Sequence, residues 1–262
     1  MRSALPVVLV LVVVALTACG GDTLAVDPVA RAADATTKAG SKHVEFLGVS
    51  RVQGQKIRIT GSGDFRNDPQ LGRMTVRFTT GATSGEVTEV MKGWRIYMTS
   101  PLLARQLPQG KTWVSLDLQK AGKAIGFDSS SLSAQTPGQT LEQLKASGDV
   151  TKVGTETLDG VETTHYTATL DPAKIPNGAR LQKLTGASYQ PVDVWIDSDN
   201  HVRRLHMAYS TSGSASAGAG MSNEMTMTFS DYGKNVGVTV PTDAETFDTT
   251  GEAAKSMQNG GA

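Results

Sequence analysis

The segment Arg73-Met-Thr-Val-Arg-Phe-Thr-Thr80 decides the fold class, because polar and apolar side chains alternate from Arg73 to Thr79. In an extended chain Met74, Val76 and Phe78 lie on one face, and Arg73, Thr75 and Arg77 lie on the other. A period of two is typical of an antiparallel strand that has one face on a core and one in water.

The same alternation recurs along most of the chain. It covers residues 43–49, 55–65, 85–91, 94–99, 112–116, 150–158, 161–170, 192–197, 201–209 and 225–232. Asp159-Gly160 and Asp199-Asn200 each separate two such segments, and Asp-Gly is a strong signal for a two-residue hairpin turn. The pattern predicts a long antiparallel sheet of about 10–11 strands.

Helical spacing occurs in a few places. Asp27-Pro28 predicts the start of a helix, because Asp is a favoured N-cap and Pro a favoured first residue, and Gly40 ends that helix. Residues 116–125 and 138–146 also have helical patterns, and a shorter helix is expected within residues 171–184. Strands in long runs with a few helices predict an α+β fold with the helices gathered on one face of the sheet.

We predict one domain, residues 28–248, because no linker divides the middle of the chain. Residues 211–220 are rich in Ser, Gly and Ala and lie between two strands, so they predict a flexible loop within the sheet. Residues 249–262 predict a flexible tail.

The N-terminal residues 1–18 have the pattern of an export signal. Arg2 precedes a largely apolar run, residues 4–16, which fits a signal peptide and falls short of the roughly 20 residues that span a bilayer. Leu16-Thr-Ala-Cys19 then resembles a bacterial lipobox, in which the cysteine receives a diacylglyceryl group and becomes the new N-terminus.

Lipidation of Cys19 is the prediction that follows, since it is the one cysteine of the chain and cannot form an internal disulfide. Two or three acyl chains would hold the protein stably on the extracytoplasmic face of the membrane, with residues 19–27 as a short tether. The alternative is an ordinary signal peptide cut near Ala18, with Cys19 there by chance.

Composition argues against a nucleic-acid partner. The 262 residues include 25 basic and 25 acidic side chains, whereas nucleic-acid binders carry a basic surplus. Aromatic residues are 5% of the chain, which leaves few platforms on which bases could stack.

Motifs for catalysis, metals and cofactors are not found in the sequence. No serine lies in a Gly-x-Ser-x-Gly elbow, and Gly110-Lys111-Thr112 lacks the earlier glycine of a phosphate loop. Asp197-x-Asp199 favours a turn over a calcium loop. The histidines (His43, His165, His201 and His206) form no His-Glu-x-x-His pattern and are expected at the surface or in hairpins. We therefore predict neither an enzyme nor a bound cofactor or metal; a hydrolase would need a Ser–His pair or two carboxylates converging in a cleft.

One face of the predicted sheet is unusually rich in methionine. Methionine is flexible and polarizable, and it suits surfaces that adapt to varied apolar ligands, although it also fills gaps in an ordinary core. The residues that we predict on this face, as candidate lining of a ligand cavity, are Ile57, Ile59, Met74, Val76, Phe78, Ile96, Met98, Leu205, Met207, Met225 and Met227.

Two hairpin segments carry a resemblance to a known family. Residues 154–170 (GTETLDGVETTHYTATL) and 191–205 (PVDVWIDSDNHVRRL) resemble paired strands of the actinobacterial LppX/LprG-type lipoproteins. The lipobox, the helix at Pro28 and the last strand near Tyr232 fall in the order of that family.

The resemblance implies a LolA-like fold, in which a curved antiparallel half-barrel sheet has helices covering its concave face. It also implies a cavity that binds acyl chains of lipids or glycolipids, a role in carrying or presenting them in the cell envelope, and a membrane transporter as a partner. The alternative is an envelope sensor or interaction module with the same fold and a filled core. An internal volume under about 300 Å³ would count against carriage.

Overall fold

The computed structural model describes residues 27–52, 54–68, 70–124, 147–171, 186–214 and 218–259. In chain order, the elements are α1 (Pro28–Lys38), β1 (Ser41–Val52), β2 (Gln55–Arg66), β3 (Leu71–Thr80), β4 (Thr83–Lys92), β5 (Arg95–Thr99), α2 (Pro101–Ala104), β6 (Trp113–Asp117), α3 (Leu118–Ala124), β7 (Ser147–Leu158), β8 (Val161–Leu170), β9 (Ala187–Tyr189), β10 (Val192–Asp197), β11 (Val202–Ser214), β12 (Gly218–Ser230), β13 (Thr246–Asp248) and α4 (Thr250–Asn259).

All described strands belong to one open, curved sheet. Its order is β13-β6-β5-β4-β3-β2-β1-β12-β11-β10-β8-β7, and β9 pairs separately with β11. Every pairing is antiparallel except that of β13 with β6, which is parallel. β1 pairs with β12 in the middle of the sheet, so it joins the strands of the first half of the chain to those of the second. The predicted α+β class and antiparallel sheet are confirmed, and the two three-residue strands β9 and β13 bring the number of strands to thirteen.

Two hairpins turn where the sequence predicted. Leu158 pairs with Val161 across Asp159-Gly160, and both turn residues have positive φ, 49° and 81°. Asn200 adopts φ 62° in the turn between β10 and β11. Asp and Asn accept this left-handed backbone at lower cost than most residues, which explains their use at these positions.

The helix α1 begins and ends at the predicted residues. The Asp27 carboxylate accepts hydrogen bonds from the backbone N–H of Val29 (2.9 Å) and Ala30 (3.2 Å), and Gly40 with φ 81° reverses the chain into β1. The inward side of α1 carries small and β-branched side chains that have no exposed surface, namely Val29, Ala32, Ala33 and Thr36. They pack on the sheet beside β7, β10 and β11.

The C-terminal segment differs from the prediction of a flexible tail. Residues 250–259 form α4, which packs against α3. The hydroxyl and N–H of Thr249 both donate to the Ser115 carbonyl, and the Thr250 hydroxyl accepts from the N–H of Asp117 at 2.9 Å. These bonds satisfy backbone groups at the end of β6, and they hold the start of α4 against that strand.

Two smaller differences concern strand ends. Leu116, where the predicted strand and helix overlapped, and Asp117, predicted as helix, both belong to β6 because they pair with β5, and α3 starts at Leu118. The predicted loop 211–220 is in part strand, since β11 extends to Ser214 and β12 begins at Gly218. The predicted helices at 138–146 and 171–184 lie outside the described residues apart from Asp171, as do the predicted export signal, Cys19 and residues 19–26 of the predicted tether. Within the described ranges, no helix has the length and apolar character required to cross a membrane.

Candidate functional site

The strand register places all the predicted lining residues on one face of the sheet, which we call the apolar face. Ile59 pairs with Phe78, Leu205 with Met227, and Met207 with Met225. β1 connects the two groups, because Gly48 pairs with both Ile59 and Met225. The other members of the set follow from the alternation of these strands: Ile57, Met74, Val76, Ile96 and Met98.

Exposure on the apolar face is lowest beside α1 and rises toward Phe78 of β3. Leu205 has no exposed surface and Met227 has 5%, because both belong to the core under α1. Met74, Met207 and Met225 are half-buried and pack against that core. Phe78 is 41% exposed, although it lies on the same face. The apolar face is therefore a closed core at one end and an accessible apolar surface at the other.

Three phenylalanines of the apolar face each lie over a glycine of the following strand. Phe46 of β1 covers Gly61, Phe65 of β2 covers Gly72, and Phe78 of β3 covers Gly85; these pairs are direct neighbours in the register.

Each ring occupies space that is free only because glycine has no side chain. A methyl group at Gly61 would lie 2.0 Å from Cε1 of Phe46, and one at Gly85 would lie 2.3 Å from Cζ of Phe78. Sequence analysis missed this arrangement, which is visible in the sequence only as apolar strands containing glycine.

A buried lysine lies at the closed end. Lys42, on the same face as Val44, is 2% exposed, and its ammonium donates to Oδ1 of Asn67 at 3.1 Å. Burial lowers the pKa of Lys42 to about 8, because a charged amine is poorly solvated among apolar groups.

One acidic side chain, Glu89, lies among the apolar residues at the open end of the apolar face. Glu89 of β4 pairs with Met74 of β3 on one side and with Met98 of β5 on the other. Burial raises the pKa of Glu89 above its ordinary value. The sequence places Glu89 within an alternating strand, yet its type did not fit the apolar set and it was not predicted as a site residue.

The opposite face of the sheet, which we call the polar face, holds an open groove of about 740 Å³. This volume is in the range of ligand pockets. The groove is a different place from the cavity that the sequence predicted, because it lies on the other face of the sheet, and polar residue types form most of its lining. Its side chains include Glu45, Thr60, Ser62, Thr75, Arg77, Glu86, Trp195, Arg204, His206, Thr226 and Thr228.

A Ser–His–Asp arrangement lies beside this groove. Ser62 Oγ is 3.1 Å from Nε2 of His43, and His43 Nδ1 is 2.7 Å from Oδ1 of Asp64. Ser62 and Asp64 lie two residues apart on β2, so their side chains are on the same face. β2 is an interior strand that is paired on both sides. The N–H groups near Ser62 therefore bond to neighbouring strands, and they are not free to stabilise an oxyanion. A nucleophile and a base in the arrangement of a triad are thus present, on a strand whose backbone N–H groups are engaged by its neighbours.

The other histidines contact polar or aromatic neighbours. His165 lies 3.0 Å from Asp193 and stacks on Trp195, and His206 lies 3.0 Å from Thr226. His201 stacks on Tyr232, with ring centroids 4.4 Å apart.

Asp197, Asp199 and His201 are close enough to share an ion. The Asp197 carboxylate, however, already accepts the N–H groups of Asp199 (3.0 Å) and His201 (2.8 Å). This agrees with the turn that the sequence favoured at this place.

Comparison with known proteins assigns the chain to a family. The LppX_LprAFG lipoprotein model matches residues 24–238. The chain belongs to this family. The predicted resemblance to LppX/LprG-type lipoproteins is thereby confirmed.

Relatives and solved structures carry related descriptions. SCO4650 of Streptomyces coelicolor, whose name describes it as a lipoprotein, is 29% identical over 237 residues, or 82% of this chain and 71% of that protein. An uncharacterized 31.2 kDa protein of Streptomyces griseus is 32% identical over 156 residues, or 53% of this chain and 48% of that protein. The crystal structure of lipoprotein LppX of Mycobacterium tuberculosis aligns with 81% of this chain and 96% of its own, at TM-score 0.49 and 20% identity. The crystal structure of LprF of Mycobacterium bovis aligns with 82% of this chain and 94% of the LprF chain, at TM-score 0.48 and 16% identity.

Proposed function

We propose that this family member binds acyl chains of lipids or glycolipids against its apolar face and carries or presents them in the cell envelope. The observation that carries the proposal is the graded exposure of that face, from the closed core at Leu205 to Phe78, which is 41% exposed. An acyl chain laid on the open end gains about 25 cal/mol for each Å² of apolar surface removed from water. Methionines on this face adapt to chains of different shape.

The proposal includes the site of action. Cys19 carries the acyl anchor, and the domain works on the extracytoplasmic side of the membrane. In this proposal a lipid moves down its gradient between the membrane and a partner, without an energy source in this domain, and a membrane transporter is the partner we propose.

The alternative, a sensor or interaction module with a filled core, is distinguished by lipid content. The domain without residues 1–18 and with Cys19 replaced by Ser is purified without added lipid and examined by native mass spectrometry, and a fluorescent fatty acid is then titrated into it. We expect co-purified lipid masses and saturable uptake. A lipid-free protein that also takes up no fatty acid would favour the module.

We also propose that the protein acts without catalysis, and the polar face offers a direct test. Ser62 lies 3.1 Å from His43 but on an interior strand whose N–H groups are already bonded. A fluorophosphonate probe should leave Ser62 unlabelled, as it leaves a Ser62→Ala variant. Labelling of the unmodified protein that is lost in Ser62→Ala would establish an activated serine, and a hydrolase would replace this proposal.

A further inference from the structure

Glu89 is a carboxyl without a hydrogen-bond or ion-pair partner in the part of the chain that the structure describes. Its cross-strand neighbours are Met74 and Met98, and alternation along β4 puts Val87 and Met91 on the same face. The same register keeps Arg73, Arg77 and Arg95 of the adjacent strands on the polar face. Among the residues that the structure describes, none forms an ion pair or hydrogen bond with the Glu89 side chain.

Such a group is costly for the fold. A half-buried carboxyl that lacks a partner loses hydration and gains no hydrogen bond in return. Its neighbour Glu86, three residues earlier on the polar face, shows the usual solution, since its carboxylate lies 2.7 Å from Nη2 of Arg77. Glu89 therefore has no evident role in stability, and its position on the open apolar face points to a ligand.

We propose that Glu89 is the polar anchor of the apolar face and selects lipids that carry a hydroxyl group at the level of Met74 and Met98. This inference rests on the proposed function and names the class of lipid. A hydroxyl can donate to the carboxylate or accept from the protonated acid, so it satisfies Glu89 in either state. A purely hydrocarbon chain would cover Glu89 and leave it without a partner.

The selectivity should be measured with matched esters. The probes are methyl stearate and methyl hydroxystearates whose hydroxyl lies near the ester, at mid-chain or near the methyl end, each competing against a fluorescent fatty acid. We expect at least one hydroxylated ester to bind roughly tenfold more tightly than methyl stearate, the ratio that corresponds to one hydrogen bond in a dry site.

Three variants test the assignment. Glu89→Leu should abolish the preference while methyl stearate still binds, and Glu89→Gln should retain it because an amide both donates and accepts. Glu86→Leu, on the polar face, should leave the preference unchanged. In urea, Glu89→Leu should be at least as stable as the unmodified protein.

The outcomes separate this inference from the proposed function. Uptake of all esters with no preference, or a preference that survives in Glu89→Leu, would overturn the role of Glu89 and leave lipid binding intact. A large loss of stability in Glu89→Leu would assign Glu89 to the fold instead. Uptake of the fluorescent fatty acid but of no ester would overturn the role of Glu89 alone, whereas a protein that takes up neither the fatty acid nor the esters would defeat both proposals.

Discussion

The backbone N–H of Val202 donates a hydrogen bond to the hydroxyl of Thr36 at 2.8 Å, between residues that are 166 positions apart. Both residues are fully buried. The carbonyl of the same Val202 accepts a hydrogen bond from the Tyr232 hydroxyl. The start of β11 is thus bonded on one side to α1 and on the other to the segment after β12, which fixes the helix over the closed end of the apolar face.

Thr36→Val should weaken the fold, because valine fills the same space without a hydroxyl. It leaves the buried N–H of Val202 unsatisfied, and the expected loss in the free energy of unfolding is about 1–3 kcal/mol. Urea denaturation measures it. Thr37→Val is the matched control, since the Thr37 hydroxyl bonds the Ala33 carbonyl within its own helix, and it should change stability by less than about 0.5 kcal/mol. Equal losses in the two variants would contradict a special role for the Thr36–Val202 bond.

Lys42 should make the stability depend on pH in the alkaline range. Its pKa falls from 10.5 to about 8 on folding, so the unfolded chain holds the proton more tightly than the folded protein. The free energy of unfolding therefore rises as pH increases from about 8, and the rise ends near the ordinary pKa. Between about pH 7.5 and about pH 9.5, we expect an increase of about 1–2 kcal/mol, below the range where tyrosines ionise.

A substitution at Lys42 isolates this effect. Lys42→Met removes the buried amine, so the variant should be more stable than the unmodified protein at neutral pH and should lack the alkaline rise. Lys56→Met, at an exposed position on β2, should keep it. Urea denaturation at several pH values gives the comparison; a rise that persists in Lys42→Met would assign the linkage to another group.

The sequence predicted the sheet and the composition of its apolar face because both follow from a local period of two. Once Phe78 was assigned to one side of β3, alternation assigned Met74 to the same side, and the hairpin turns set the register of neighbouring strands. The pairing of β1 with β12 and of β13 with β6 was not predicted, because contacts between distant strands leave no local signal. The polar-face groove was missed for the same reason, since its lining comes from strands at both ends of the chain.

Glu89 shows a different limit. Its residue type is compatible with an exposed position of any strand, and it became unusual only when the register put it between Met74 and Met98. The C-terminal helix α4 has the same kind of limit. Its polar sequence alone predicts a flexible tail, and only the hydrogen bonds of Thr249 and Thr250 to β6 show that it is held against the sheet.

Gly61 should be intolerant of a side chain. A methyl group there would lie 2.0 Å from the Phe46 ring, so Gly61→Ala forces the ring to move and should cost about 1–3 kcal/mol in the free energy of unfolding. Gly154→Ala is the control, because no atom lies within 4 Å of a methyl group at that strand position, and its stability should stay within about 0.5 kcal/mol or rise slightly.

A double variant shows whether the cost at Gly61 arises from Phe46. The double variant Phe46→Leu, Gly61→Ala should lose less free energy of unfolding than the sum of the losses in the two single variants, because the smaller side chain at position 46 relieves the clash. Strict additivity in a double-mutant cycle would mean that the clash lies elsewhere.

Membrane attachment should depend on Cys19 alone. Cys19→Ser removes the thiol that we propose receives the diacylglyceryl group, so the full-length protein should shift from the membrane fraction to the soluble fraction or remain as an unprocessed precursor. Fractionation of cells and the intact mass of the mature protein measure this. Ser3→Ala, within the export signal, should leave attachment unchanged. Tight membrane association of a processed Cys19→Ser protein would disprove the acyl anchor.

Phe78 offers the sharpest test of where lipid lies, because it is on the apolar face and still 41% exposed. Phe78→Glu should fold, yet it places a charge where an acyl chain would contact the sheet, and the affinity for a fluorescent fatty acid should fall more than tenfold. Thr79→Glu adds the same charge one residue later, on the polar face opposite Arg58, and should bind like the unmodified protein. Far-UV circular dichroism checks the fold of both variants. Loss of binding in Thr79→Glu but not in Phe78→Glu would move the lipid site to the polar-face groove, and equal binding by all three proteins would place it away from β3.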